Sequence, residues 1–135
     1  MKRYYKRGFT LIELLIVIAI IGILTTVVLA NLSGARPRTR DATRVSDLKN
    51  IQLSMEFYRD AVGGYPASLT DATYTPDFMD PVPTDPQGGS YQYAQNGTGY
   101  VLGATFEQAT NIPDDDIDGT VAGINCSGSV YCLTN

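Results

Sequence analysis

Apolar residues fall into three blocks along the 135-residue chain, each with its own period. From Leu11 to Leu32 the chain is apolar almost without a break, so this block reads by its length. Roughly 22 residues at about 1.5 Å each make a helix about 33 Å long, enough to cross the hydrocarbon core of a bilayer. The second block repeats every three or four positions. Val45, Leu48, Ile51, Met55, Tyr58 and Val62 draw a single stripe along a helix expected over 38–62, and Arg44, Asp47, Lys49 and Glu56 take its polar face. Gly63-Gly64 stops that helix and Pro66 prevents its resumption. In the third block the period falls to two. Tyr100, Leu102, Ala104 and Phe106 alternate, Tyr91 and Tyr93 precede them, and Asn96-Gly97-Thr98 between them suits a hairpin turn. A short final strand or turn is expected in 128–133. A helix stripe and a sheet face bury each other, which predicts an α+β head on a helical stalk.

The connections carry their own signals. Gly34 and Pro37 follow the apolar block, and Pro37 has no N–H to give the Ser33 carbonyl, so an interruption of the helix is expected there. Residues 63–90 hold Pro66, Pro76, Pro81, Pro83 and Pro86 and read as an ordered loop, pinned to the core by Leu69, Tyr74, Phe78 and Met79.

Charge sharpens the division. The formal net charge of −4 conceals a gradient, because no basic residue follows Arg59 while ten acids do. Such a surface repels nucleic-acid phosphates, so direct nucleic-acid binding is not expected, although Arg36, Arg38, Arg40 and Arg44 form a basic cluster. Lys2, Arg3, Lys6 and Arg7 balance that cluster across the apolar block, so the positive-inside rule does not orient the span. Catalysis finds no foothold: the chain has no histidine, no nucleophile elbow and no phosphate-cradling glycine loop.

Two features of the distal part have chemical meaning. Asp114-Asp115-Asp116-Ile117-Asp118-Gly119 contains D-x-D-x-D-G, in which Asp114, Asp116 and Asp118, with the Thr120 carbonyl, match the first four ligand positions of a calcium loop. The twelfth position is Asn125 rather than a glutamate, which rules out a full EF-hand and leaves a smaller calcium loop or a solvated acidic turn. Cys126 and Cys132 are the only cysteines, so an extracytoplasmic head would pair them as a disulfide closing a small loop.

The most telling residue is Glu13, a carboxylate at the edge of a bilayer-length apolar run, where a charge is costly without a partner. Gly8-Phe9-Thr10-Leu11-Ile12-Glu13 behind a short basic leader resembles the prepilin signal of type IV pilins and type II secretion pseudopilins. Gly64-Tyr65-Pro66, Val82-Pro83-Thr84-Asp85-Pro86 and Tyr91-Gln92-Tyr93 resemble the small pseudopilins, and lean towards the major pseudopilin of type II secretion. The resemblance implies a pilin-like fold with a leader at 1–8, a transmembrane and assembly helix at 9–32, and an extracytoplasmic head at 33–135. It implies cleavage between Gly8 and Phe9 by a prepilin peptidase, which also N-methylates Phe9. Glu13 then becomes the assembly residue, paired with the terminal amine of a neighbouring copy in a helical filament. The implied partners are the peptidase, further copies and related pilins, the inner-membrane assembly platform and the membrane itself. The expected place is the cytoplasmic membrane, single-pass, and then a filament serving secretion, adhesion or motility. Major pseudopilins as a family bind calcium in their distal loops, which makes calcium the expected cofactor. The chain departs from the family in carrying Ala30 where proline is frequent. The competing reading is an ordinary secretory signal cleaved after Ala30, leaving a soluble or anchored extracellular binding domain.

Overall fold

A computed structural model describes residues 8–135, apart from the side chains of residues 30–33. The basic leader residues Lys2, Arg3, Lys6 and Arg7, and the side chain of Ala30 at the alternative cleavage point, therefore lie outside the described residues. One helix, α1 (Leu11–Val62), is followed by strands β1 (Gln92–Asn96), β2 (Gly99–Thr105), β3 (Thr120–Val121), β4 (Ile124–Asn125) and β5 (Val130–Thr134). The chain divides into two compact units between Arg36 and Pro37.

The first unit is the apolar part of α1, long and apolar enough to cross a membrane by length and composition. Its large side chains from Leu11 to Leu29 are exposed, as they must be in a helix whose packing partners are lipid or other helices. Thr25 and Thr26 hide their hydroxyls by donating to the carbonyls of Ile21 and Ile23, both at 2.7 Å, so neither polar group meets the apolar surroundings unpaired. The expected interruption does not appear: α1 continues through Gly34 and Pro37. An interior proline costs a helix about 3 kcal/mol or more. Burial on the head side, at about 1.5–3 kcal/mol for each of Leu48, Ile51 and Met55, is enough to offset that.

The second unit is the α+β head. β1, β2 and β5 form an antiparallel sheet in the order β1-β2-β5, with Tyr93 opposite Leu102 and Leu102 opposite Leu133. The hairpin turns at Gly97, whose φ of 61° lies in the left-handed region that glycine adopts without strain. One sheet face, with Tyr91, Tyr100, Leu102, Ala104, Phe106, Tyr131 and Leu133, buries the helix stripe of Leu48, Ile51, Met55 and Tyr58. Val45 is only partly buried against this core, and Val62 is exposed because the chain turns away at Gly63. The opposite face buries Val101 with Ile124, Cys126 and Cys132, and the two cysteines form a disulfide with Cα atoms 5.6 Å apart. The loop has no strand or helix of its own, but Leu69 and Tyr74 are buried and Phe78 and Met79 pack against the core.

Tyrosines bind these layers by putting rings in the core and hydroxyls at its rim. Tyr58 stands edge-on to Tyr74 and Phe78, with centroids 5.8 and 5.1 Å away. Tyr91 donates to Asp47 on α1 at 2.6 Å, Tyr93 to the Pro66 carbonyl at 2.5 Å, and Tyr65 to Glu56 at 3.0 Å. The loop, β1 and the helix are thereby tied to one another.

Arg44 corrects the sequence expectation outright: it is 1% exposed, not on a solvent face. All five of its N–H donors are used. Nε and Nη2 grip Asp85 at 2.6 and 2.8 Å, Nη2 also reaches Gln87 at 2.9 Å, and Nη1 donates to Asp41 at 2.7 Å and Glu107 at 3.3 Å. Asp41, equally buried, accepts further bonds from the Glu107 and Gln108 amides and from Asn111 Nδ2 at 3.0, 3.2 and 2.7 Å. Arg40 closes the cluster with a two-pronged grip on Glu107 at 2.5 and 2.6 Å. Burial pushes the Asp41 carboxyl up, but donation from Asn111, the Glu107 amide and Arg44 holds it below its usual range. Asp85 is lowered mainly by Arg44, and Glu107 mainly by Arg40.

Removing one partner of a buried ion pair strands the others, so Arg44→Met is expected to cost the head about 3–5 kcal/mol in denaturant unfolding of the full chain in detergent. The depressed carboxyls add stability that is complete above their unfolded value of about 4 and lost as pH falls through the lower folded values. The melting temperature should therefore fall on acidification below about pH 4, and Arg44→Met should flatten that fall. A variant as stable as the parent, with the same acid slope, would show that the cluster contributes nothing.

Candidate functional site: the assembly segment and the acidic loop

The first functional segment lies where the helix begins. Phe9 precedes α1 and is 83% exposed. Thr10 is the N-cap: its carbonyl accepts from the Leu14 amide at 3.3 Å, and its hydroxyl accepts from the Glu13 amide at 3.3 Å. Glu13 reaches back, its Oε2 accepting from the Thr10 amide at 2.9 Å and the Thr10 hydroxyl at 2.8 Å. This is a reciprocal capping box, T-x-x-E, at the end of a helix whose dipole favours a carboxylate. Thr10 is the functional residue that sequence reasoning passed over. The spacing Thr10-x-x-Glu13 carries the signal, that of a capping box within one chain. The structure thus gives Glu13 a partner within its own chain.

The basic cluster is not a free patch. Arg40 and Arg44 are engaged by Glu107, Asp41 and Asp85, while Arg36 and Arg38 are exposed. Charge of this kind offers no continuous surface for phosphates.

The acidic loop is organised by protein groups. Asp115 pairs with Lys49 of α1 and accepts from the Tyr131 hydroxyl at 2.8 Å, and these contacts hold its carboxyl below the usual range. Asp116 accepts from the Cys132 amide at 2.7 Å, fastening the loop along β5. Gly119 makes the sharp turn at φ 95°, and its carbonyl accepts from the Cys126 amide at 2.7 Å. Thr120 and Asn125 face each other across the β3–β4 ladder. Among the described residues no three His, Cys, Asp or Glu side chains gather into a metal-ligating group. Asp114, Asp116 and Asp118 are not among such a group, and Asp115, outside the ligand pattern, is the residue that ties the loop to α1 and β5.

Residues 3–29 match the family model for the prokaryotic N-terminal methylation motif. Beyond the motif, the chain is 31% identical over 134 residues to type II secretion system core protein G of Klebsiella michiganensis, covering 87% of this chain and 94% of that protein. This chain belongs to the type II secretion core protein G family. Its similarity to the Pseudomonas aeruginosa member is 28% over 137 residues, covering 87% of this chain and 96% of that one. The Vibrio cholerae member is 29% identical over 112 residues, 72% of this chain and 77% of its own. No solved structure matches the chain. As a core protein G relative, the chain carries its Thr10–Glu13 box inside the matched motif and its Arg44 cluster and acidic loop outside it.

Loss of the cap should loosen the first turn. Thr10→Ala is expected to speed amide exchange at Glu13 and Leu14 by about fivefold in detergent micelles, with Thr10→Ser restoring protection. Equal exchange in all three chains would show that the box does not hold the helix end.

Proposed function

We propose that this chain is a structural subunit of a type II secretion pseudopilus. It is stored in the cytoplasmic membrane with its head outside, cut between Gly8 and Phe9, N-methylated at Phe9, and polymerised through α1. The observation that carries this reading is the nearly full-length similarity to core protein G, joined to an exposed apolar helix that opens on Glu13. The Cys126–Cys132 disulfide supports an oxidising compartment for the head. In the stored subunit the Thr10–Glu13 box satisfies the carboxylate within its own chain. In the filament the charged terminal amine of a neighbouring copy takes over or shares it, and methylation leaves that amine charged. The prepilin peptidase and the inner-membrane assembly platform are the partners this route requires; catalysis by the chain itself is not.

Mass spectrometry of the intact N-terminus, from membranes and from sheared surface material, tests the first step. A chain beginning at N-methylated Phe9 is expected; one beginning at Asn31 would make the protein a secreted soluble domain. Glu13→Ala is expected to insert and be processed normally but to yield no filaments, and normal filaments from it would remove the assembly role.

Calcium at Asp114, Asp116, Asp118 and the Thr120 carbonyl belongs to this reading on the strength of the D-x-D-x-D-G pattern and of acidic side chains that an ion would draw together. Binding requires the loop to rearrange, so calcium should raise the melting temperature of the full chain and a chelator should reverse the rise. Identical melting in both would exclude the site.

A further inference from the structure

The tip of the β1–β2 hairpin carries chemistry that assembly does not use. Its turn is two residues long: Asn96 stands opposite Gly99, Gly97 takes the first central position at φ 61°, and Thr98 takes the second. Asn96, Gly97 and Thr98 are exposed, and a side chain added at Gly97 would meet no atom within 4 Å. Among the described residues neither the Asn96 carboxamide nor the Gly97 N–H has a hydrogen-bond partner. A carboxamide free to turn, followed by an amide nitrogen with no side chain to shield it, is the pair that closes most readily into a five-membered imide. Other asparagines are held at both reacting groups. Asn111 donates to Asp41 at 2.7 Å, and the following Ile112 amide donates to the Ala109 carbonyl at 3.3 Å. The Asn125 side-chain oxygen accepts from the Ser127 amide at 3.2 Å, and the following Cys126 amide donates to the Gly119 carbonyl at 2.7 Å. Asn31 and Asn50 lie within α1, and the amides of Leu32 and Ile51 after them belong to the helix ladder.

We propose that Asn96–Gly97 is a self-modifying site, at which the head turns asparagine into aspartate and isoaspartate without an enzyme. The Gly97 nitrogen gives its proton to hydroxide and attacks Asn96 Cγ. The new C–N bond closes the imide, the Cγ–Nδ2 bond breaks, and that nitrogen takes a proton from water and leaves as ammonia. Water then adds to either imide carbonyl. Opening the ring at Cγ restores the ordinary main chain as aspartate. Opening it at the main-chain carbonyl leaves the chain running through the side chain as isoaspartate. The sum is one water consumed and one ammonia released, with nothing oxidised or reduced. Both products place a carboxylate on a head that has no basic residue after Arg59, so copies grow more acidic with age. Isoaspartate also lengthens the main chain between Gln95 and Gly97. A two-residue turn has no slack to absorb the extra atom, so the pairing of Asn96 with Gly99 is lost. This holds whether or not the chain polymerises.

Incubation of the full chain in detergent at mildly alkaline pH, read by isoelectric focusing and peptide mass spectrometry, tests this. A synthetic peptide of residues 93–101 serves as the clock, and incubation runs until that peptide has converted. The full chain should by then show an acidic form that migrates with Asn96→Asp, and the altered peptide should be the one holding Asn96. Conversion there should outrun that at Asn111 and Asn125 by about tenfold or more, since those groups must first leave their hydrogen bonds. Asn96→Gln should keep the parent melting temperature and give no acidic form, because its longer side chain would have to close a six-membered ring. A folded chain still intact when the peptide has converted would show that the hairpin protects Asn96, and would overturn the proposal. An acidic form that persists in Asn96→Gln, or faster change at Asn111 or Asn125, would overturn it equally.

Discussion

The Arg44 guanidinium is the constraint from which the head's geometry follows. It sits on α1 with no open solvent around it, and each of its donors ends on a group from the helix, the loop or the segment after β2. Hydrophobic burial holds the sheet against the helix but says little about where the connecting loops lie, because burial is not directional. The guanidinium is directional. Its planar fork admits Asp85 in a two-bond grip and leaves fixed places for Asp41, Gln87 and Glu107. Asp41 continues the constraint by taking two backbone amides and Asn111, so the chain leaving β2 is anchored through its own main chain. A wholly apolar substitute could match the stability of such a cluster. It would not specify where Asp85 and Glu107 must stand.

The two parts of α1 answer to different surroundings, and their sequences show it. In the apolar part the hydroxyls of Thr25 and Thr26 turn inward to the helix backbone and Glu13 closes the N-terminal turn, so polar atoms are satisfied within the helix. In the head part the polar groups reach outward to distant segments: Asp47 to Tyr91, Lys49 to Asp115, Arg44 to Asp85. Water is available around the head to compete for such groups and is absent in a bilayer, so only the head can use long side chains as adjustable ties.

Legibility in the sequence followed the range of each interaction. The helix stripe at Leu48, Ile51, Met55 and Tyr58 and the alternation from Tyr100 to Phe106 were readable because each needs only its own periodicity. The disulfide was readable because two cysteines allow one pairing. Arg44 reads as solvent-facing because a charged residue amid a helical pattern ordinarily meets water, and its partners at Asp85 and Glu107 are 41 and 63 residues away. Asp41, three residues before it, was a local hint. The β3–β4 ladder has two residues a side, too few to carry a period. Asp115 does not stand out from the alternate aspartates in the sequence, since only the fold brings Lys49 and Tyr131 to it. The Thr10–Glu13 box is legible in its three-residue spacing alone, since both of its partners lie within one helical turn.

The internal use of charge has a consequence for assembly. Arg40, Arg44, Lys49 and Arg59 each neutralise a carboxylate of their own chain, so the charge a head presents to other heads is mostly unpaired aspartate. Like-charged heads resist close approach, the more so at low ionic strength, where screening reaches about 30 Å at 0.01 M salt against about 8 Å at physiological strength. Polymerisation then depends on contacts that gain from excluding water or lipid: the apolar helix first, and then any apolar head surface oriented so that the acidic sides do not face each other.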